Sequence, residues 1–271
     1  MIRFREPPRT GFELAWTFFG IRFRVFPSFF LIYGLIIALF AWAHPAIRNN
    51  PTALAFVVAL NVGCVFVAIL FVSFVEGLVY RSYGLRSTVV VREFSSGLYP
   101  EAAPPTVLQR IAVALSYPGA CFLLLALLVY SDKSYHWSQT SDIAKVIFDL
   151  MHLICWVWAV IGLLPMFPYP GGRVMLEIFS LMSPRHGLTM TLVVSILVGV
   201  AYIAYSVAVY LGYLREVELW NGVYLYSSLF ISIFFALSVM QNWETLQMVR
   251  AQQKAYDTRS DEYDDRAPWD R

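Results

Sequence analysis

Long uninterrupted runs of apolar residues dominate this chain, and short polar stretches separate them. A stretch of about 20 apolar residues is long enough to cross the hydrocarbon core of a bilayer as a helix. Runs this long and uniform predict helices rather than the alternating strands of a membrane barrel. The candidate runs lie near 27–43, 52–80, 106–130, 145–167, 187–213 and 219–241. We therefore predict an all-α polytopic membrane protein with six transmembrane helices.

The polar stretches predict the remaining organisation. Residues 1–26 are rich in arginine and aromatic side chains, which is typical of a cytoplasmic or interfacial segment beside a membrane. The six spans make one membrane domain, 27–249. The acidic residues 250–271 predict a disordered cytoplasmic tail.

The connection 81–105 is the one place where the sequence predicts strands. A β-branched run near 85–98 contains the turn signal Ser95-Ser96-Gly97, which predicts a small β segment next to the membrane. Three prolines follow, and Thr106 is a candidate N-cap for the third span.

Composition supports the membrane interpretation and orients the chain. Hydrophobic residues make up 59% and charged residues 14%, against about 45–50% and about 25% in soluble domains. All but four of the lysines and arginines lie on the side shared by both termini. The exceptions are Arg48, Lys133, Lys145 and Arg215. The positive-inside rule then predicts cytoplasmic termini, in a plasma or inner membrane.

Charge and cysteine usage limit the classes of partner and cofactor that we expect. The net charge is +2 and no basic, aromatic-interleaved patch occurs, so we expect no nucleic-acid partner. Cys64, Cys121 and Cys155 stand alone inside spans, which predicts buried apolar side chains. We expect no cofactor and the lipid bilayer as the principal partner.

Two segments at the ends of apolar runs carry the most specific signal. The first is Val72–Gly84 (VSFVEGLVYRSYG) and the second is Gly162–Arg173 (GLLPMFPYPGGR). Together they resemble the two signatures of the site-2 protease family of intramembrane zinc proteases, which read approximately HExGHAxxARxxG and NLLPxxPxDGGR. Gly20–Ser28 and Gln109–Gly119 resemble further segments of that family. The order and spacing match from about residue 16 to 182.

The resemblance keeps the framework of the zinc site and lacks its ligands. In the first signature two histidines four residues apart on one helix face bind zinc, and the glutamate between them is the general base. Val72 and Glu76 stand at the histidine positions and Ser73 at the glutamate position. In the second signature Gly162 replaces the asparagine and Pro170 replaces the aspartate that serves as third ligand. We therefore predict no metal site and no catalytic residues.

Two candidate residues have competing interpretations. Glu76 is the one carboxylate deep in a span, and such groups are functional candidates. It is equally explained as a side chain that snorkels to the membrane surface or pairs with an arginine such as Arg81. His152 is the only histidine inside a span, and the predicted orientation separates it from Glu76.

The sequence thus predicts a catalytically inactive site-2 protease-like protein, a pseudoprotease. The resemblance implies a groove that once admitted a substrate helix and that now binds the transmembrane segment of another membrane protein. The predicted groove residues are Ser73, Glu76, Pro165, Pro168, Gly171 and Gly172. The alternatives are an active peptidase with an unconventional site that uses Glu76, or a transporter or channel with Asn61 and Glu76 along its path.

Overall fold

The computed structural model describes residues 12–42, 45–92, 95–215, 217–220, 223–225 and 229–264. The fold is mostly helical. The helices are α1 (Pro27–Trp42), α2 (Pro45–Arg48), α3 (Pro51–Ser82), α4 (Val107–Tyr135), α5 (Asp142–Leu163), α6 (Pro170–Met182), α7 (Gly187–Tyr210) and α8 (Leu229–Asp264). The strands are β1 (Leu14–Phe18), β2 (Ile21–Val25), β3 (Ser87–Arg92), β4 (Ser95–Pro100), β5 (Val217–Trp220) and β6 (Val223–Leu225).

Four helices, α3, α4, α5 and α7, are long and apolar enough to cross a membrane. The prediction of a helical, multi-pass membrane protein is confirmed at this level. Where the sequence predicted six spans, the described residues contain four helices that meet these criteria. Helix α1 is apolar but has 16 residues, and α8 begins at Leu229, well after the predicted start of the last run at 219.

The helix ends follow from local chemistry. Asn50 caps α3 by accepting a hydrogen bond from the Ala53 amide, and Pro51 occupies the first turn, where its missing N–H costs nothing. Thr106 caps α4 as predicted, and Gln109 completes a capping box with it. The short helix α6 begins at Pro170 and contains the Gly171-Gly172 pair in its first turn.

The chain divides into two compact units, Met1–Gly162 and Leu163–Arg271, and each is described by itself. The first unit contains a four-stranded sheet in the order β1-β2-β3-β4. Strands β1 and β2 pair antiparallel, β2 and β3 parallel, and β3 and β4 antiparallel. The parallel pair β2–β3 is connected through α1, α2 and α3.

The sheet confirms the β segment predicted near 85–98 and corrects its extent. Strands were expected only in the connection 81–105, which is wrong, because β1 and β2 lie before the first helix and β5 and β6 lie before α8. In the sequence each missed pair has a dipeptide that ends in glycine between its two strands, Phe19-Gly20 in the first and Asn221-Gly222 in the second. Asn-Gly in particular is a strong hairpin signal.

The core of the first unit forms where α3 packs against one face of the sheet. Ile21, Phe23 and Val25 of β2 and Val89 and Val91 of β3 are almost fully buried there. They join apolar side chains of α3, α4 and α5 in one cluster. All three cysteines are free and buried, as predicted.

The second unit packs α7 against α6 and α8. Its most deeply buried large apolar side chains are Met166, Leu192 of α7, and Phe235 and Leu246 of α8. The helical conformation of α8 continues to Asp264, beyond residue 250, where the disordered tail was expected to begin. Residues 265–271 of that tail lie outside the described residues.

Candidate functional site

The first signature lies on α3, within a stripe of buried side chains that repeats every three or four residues. The stripe consists of Cys64, Val65, Ala68, Ile69, Val72, Ser73, Glu76, Gly77 and Tyr80. This spacing places side chains on one helix face. All three positions that carry ligand or base in the family signature, Val72, Ser73 and Glu76, therefore face the interior of the protein.

Val72 lies in a small apolar cluster formed by three helices. It is 1% exposed and groups with Ala120 and Cys121 of α4 and Ala159 of α5. The partly buried side chains of Val75, Tyr117 and Trp158 pack around this cluster. The position of the first histidine in the signature thus belongs to a buried apolar cluster, which also includes Cys121.

This environment does not fit a zinc ion. Zinc in proteins is held by imidazole, thiolate or carboxylate groups, usually three or four of them. Valine and alanine side chains offer no donor atom. Among the described residues no group of three His, Cys, Asp or Glu side chains is placed to hold a metal. The residues at the former ligand positions therefore do not assemble a metal site.

Ser73 and Glu76 are both buried, at 2% and 9% exposure. A snorkelling side chain would reach water, so the burial of Glu76 does not agree with that interpretation. The next residue, Gly77, brings α3 close to the sheet. A methyl group built on Gly77 would lie 2.8 Å from the Ile21 Cδ1 atom. The close approach of β2 at this glycine helps to enclose the end of the signature.

Gly162, where the second signature usually has an asparagine, ends the first unit and is buried. A methyl group built there would lie 3.5 Å from Cδ1 of the Tyr117 ring and 3.9 Å from the Pro118 side chain. Both residues belong to α4, which contains Pro118 inside its helix. Gly162 therefore serves here as a packing contact between α5 and α4.

The rest of the second signature lies in the second unit, as a loop that leads into α6. Pro170 is the first residue of α6, a position that suits proline because its fixed φ matches the helix. Gly171 and Gly172 follow in the first turn. A methyl group on Gly172 would lie 2.3 Å from the Met166 carbonyl carbon and the Phe167 nitrogen. Only glycine permits this approach of two backbone segments.

Polar side chains of α7 and α8 hold the same loop in place, and we call them the loop clasp. The Phe167 amide donates a hydrogen bond of 2.8 Å to the Ser195 hydroxyl, and the Asn242 amide nitrogen donates one of 2.7 Å to the Phe167 carbonyl. The Tyr169 hydroxyl lies 3.3 Å from the Ser238 hydroxyl. The loop clasp consists of Ser195, Ser238 and Asn242.

The sequence analysis missed the loop clasp. These residues lie in no motif and are separated from the loop by tens of positions in the chain. A signal was present, since serine and asparagine inside apolar runs need a hydrogen-bond partner in a dry environment. Of the predicted groove residues in this loop, Pro165 is exposed, Pro168 and Gly171 are partly buried and Gly172 is buried.

Two other candidate residues make contacts within their own helices. The Asn61 amide nitrogen donates a hydrogen bond of 2.9 Å to the Val57 carbonyl, one turn earlier in α3. The His152 ring lies 6.0 Å from the Phe148 ring in α5. These contacts give each side chain a role in its helix.

Comparison with known proteins agrees with the resemblance at the level of the fold. Neither a protein-family model nor a curated protein sequence matches the chain. Among solved structures, it is similar to the site-2 protease from Methanocaldococcus jannaschii, with a TM-score of 0.52 and 13% identity. The alignment covers 86% of this chain and 95% of the other. The chain therefore has the site-2 protease fold.

Proposed function

We propose that this protein is a pseudoprotease with six spans, which binds the transmembrane segment of another membrane protein instead of cleaving it. The observation that carries the proposal is the apolar cluster around Val72. Val72, at the first ligand position of the signature, lies in a buried cluster with Ala120, Cys121 and Ala159, and neither valine nor alanine has an atom that binds zinc. The fold that the cluster occupies is nonetheless that of a protease.

The sheet topology supports six crossings. Strands β2 and β3 pair in one sheet, so the chain leaves that sheet into α1 and returns to it at the end of α3. If α3 crosses the membrane, the segment that contains α1 crosses in the opposite direction. Sixteen residues of helix are about 24 Å long, which is short for a bilayer of about 30 Å but workable with local thinning.

The sixth span is the apolar first half of α8. Between Leu229 and Met248 its single charged residue is Glu244. Six crossings then place both termini on one side, together with most of the basic residues. We propose that this side is the cytoplasm and that the protein resides in a plasma or inner membrane.

The proposed binding groove uses Ser73 and Glu76 from the first signature and Pro165, Pro168, Gly171 and Gly172 from the second. The packing of the loop in the second unit supports this role. Close contacts of the two glycines and hydrogen bonds with the loop clasp hold the segment that resembles the second signature. A tightly held loop that carries no metal ligand is consistent with a role in binding.

Photo-crosslinking in the native membrane tests the binding role. Benzoylphenylalanine at Pro165 or Pro168 should form an adduct with the transmembrane peptide of one defined protein, mapped by mass spectrometry. The matched controls are Leu197 and Val200 on α7, which are 63% and 51% exposed and should give lipid adducts. The same mixture of adducts at all four positions would contradict the groove.

A further inference from the structure

The hairpin formed by β1 and β2 has one apolar and one polar face. Residues opposite each other in this pair lie on the same face, and the register places Leu14 against Val25, Trp16 against Phe23 and Phe18 against Ile21. Ala15 and Thr17 of β1 occupy the other face, together with the arginines of β2. The hairpin is therefore amphipathic across its full length.

The apolar face is covered by the helices along β2 only. Ile21, Phe23 and Val25 are between 0% and 3% exposed. On the neighbouring strand Leu14 is 61%, Trp16 39% and Phe18 52% exposed. One continuous apolar surface thus begins beneath α3 and extends past it along β1. Large exposed apolar patches mark interaction surfaces.

The turn of the hairpin adds a further exposed ring at a strained position. Phe19 and Gly20 have φ values of +47° and +72°, the sign pattern of a type I′ turn, which favours Asn-Gly. A phenylalanine at such a φ is a costly choice. Phe19 is 64% exposed and its ring contacts that of Phe18 at 4.7 Å between centroids. The position retains an aromatic ring where asparagine would be less strained.

The hairpin tip is continuous with the surface of a membrane-spanning helix. The rings of Phe18 and Phe19 lie 5.4 Å and 5.9 Å from that of Phe74 on α3. Phe74 precedes the helix end at Ser82 by eight residues, about 12 Å along the axis. Leu78, one turn further along, is 37% exposed. The side chains of the tip therefore reach the level of the last turns of the span.

Two polar features place this surface in the interface rather than in the hydrocarbon core. Strand β1 is at the edge of its sheet, and backbone groups at an open edge need water or headgroups as partners. The Arg81 guanidinium packs at the turn, with Nη1 2.6 Å from a methyl group built on Gly20. An arginine beside aromatic rings is typical of the headgroup region.

We infer that the hairpin is an interfacial anchor, with Leu14, Trp16, Phe18 and Phe19 inserted among lipid headgroups and the first acyl carbons. The occupant of this face is the bilayer itself, since the face continues the surface of α3. The anchor fixes the sheet, including β3, at a defined depth relative to the bilayer. The sheet lies beside the end of the first signature on α3. Phe23, by contrast, belongs to the core.

Spin-label accessibility in reconstituted vesicles tests the anchor. Phe18→Cys and Leu14→Cys report on the apolar face, and Thr17→Cys reports on the opposite face of the same strand. The three native cysteines are buried, so the unmodified chain serves as the labelling blank. Vesicles of phosphatidylcholine and phosphatidylglycerol are exposed to oxygen, which concentrates in lipid, or to a nickel chelate, which remains in water. Gel filtration checks that each variant elutes as the wild type does.

If the hairpin is an interfacial anchor, labels on the two faces of β1 should be accessible to different reagents. Labels at 14 and 18 should be relaxed mainly by oxygen and the label at 17 mainly by nickel. Nickel-dominated relaxation at 14 and 18 would overturn the inference. Low accessibility to both reagents at these positions would also overturn it, because a protein surface would then cover the face. Oxygen-dominated relaxation at all three positions would contradict the interfacial depth.

Discussion

The two segments that resemble the family signatures have different surroundings. On α3 the first ligand position of the signature belongs to the apolar cluster, where Val72 packs with Ala120, Cys121 and Ala159. In the second unit Pro170 stands at the ligand position of the signature, and the loop before it is held by its surroundings. Close glycine contacts and hydrogen bonds with Ser195 and Asn242 hold the loop around Phe167.

The difference distinguishes the reactive side chains of a site from the shape of the backbone around them. A position that needs no reactive group tends towards dense packing, since buried apolar contacts stabilise and an unpaired polar group costs free energy. A loop without a function would be under no requirement to make such polar contacts. These contacts support the proposal that this region binds a partner. The following predictions test both halves of the comparison.

The largest effect is expected at Gly172. Gly172→Ala forces a methyl group to within 2.3 Å of two backbone atoms, which cannot be relieved by a side-chain rotation. We expect a loss of about 3 kcal/mol in the free energy of unfolding, at the upper end of overpacking costs. Thermal unfolding in detergent measures it. The control is Gly63→Ala on α3, where nothing lies within 4 Å, and its stability should be unchanged or slightly higher. An equal change in thermal stability in the two variants would show that the loop is not tightly held.

An intermediate effect is expected at Val72. Val72→His restores the residue of the family signature but places an imidazole in the apolar cluster. The cost should be about 2 kcal/mol, from a buried polar group and from overpacking. Val72→Thr keeps the shape and adds one hydroxyl, so it should cost less. Chemical denaturation in mixed micelles compares the two. If Val72→His is as stable as the wild type, the cluster has room for an imidazole, and the packing around residue 72 does not oppose a zinc site.

The smallest effect is expected in the loop clasp. Asn242→Leu leaves the Phe167 carbonyl without its donor, which should cost about 1–2 kcal/mol. Asn61→Leu is the matched control, because that amide binds a carbonyl of its own helix, and it should cost less than about 0.5 kcal/mol. Ser195→Ala should in addition accelerate hydrogen exchange at the Phe167 amide, its donor at 2.8 Å. Unchanged exchange would mean that the clasp does not hold the loop.

The helical framework could be predicted from the sequence because each long apolar run has one satisfactory structure in a membrane. Thr106 was identified as a cap from its position after the prolines, and the β-branched residues of β3 predicted that strand. The first hairpin was missed because its aromatic residues were interpreted through composition. Their alternation around Phe19-Gly20 carried the strand signal.

The site could be predicted in part. The sequence shows that valine and proline stand at ligand positions of the family signatures, and these side chains do not bind metal. That Cys121 and Ala159 pack against Val72 is not visible in the sequence, since the three residues come from helices that are distant in the chain. The partners of the loop clasp could not be predicted for the same reason: Asn242 binds Phe167, which is 75 residues away in the sequence. Such pairings come from the tertiary structure, and no local pattern specifies them.

The most direct test of the central claim is the metal content of the purified protein, measured by mass spectrometry beside a Glu76→Ala variant after exposure to zinc and gel filtration. The pseudoprotease proposal predicts no stoichiometric zinc in either sample, because Val72, Glu76 and Pro170 stand at the three ligand positions of the family signatures and only Glu76 has an atom that binds zinc. Stoichiometric zinc in the wild type that disappears in the variant would contradict it. Glu76 would then belong to an unconventional metal site in an active peptidase.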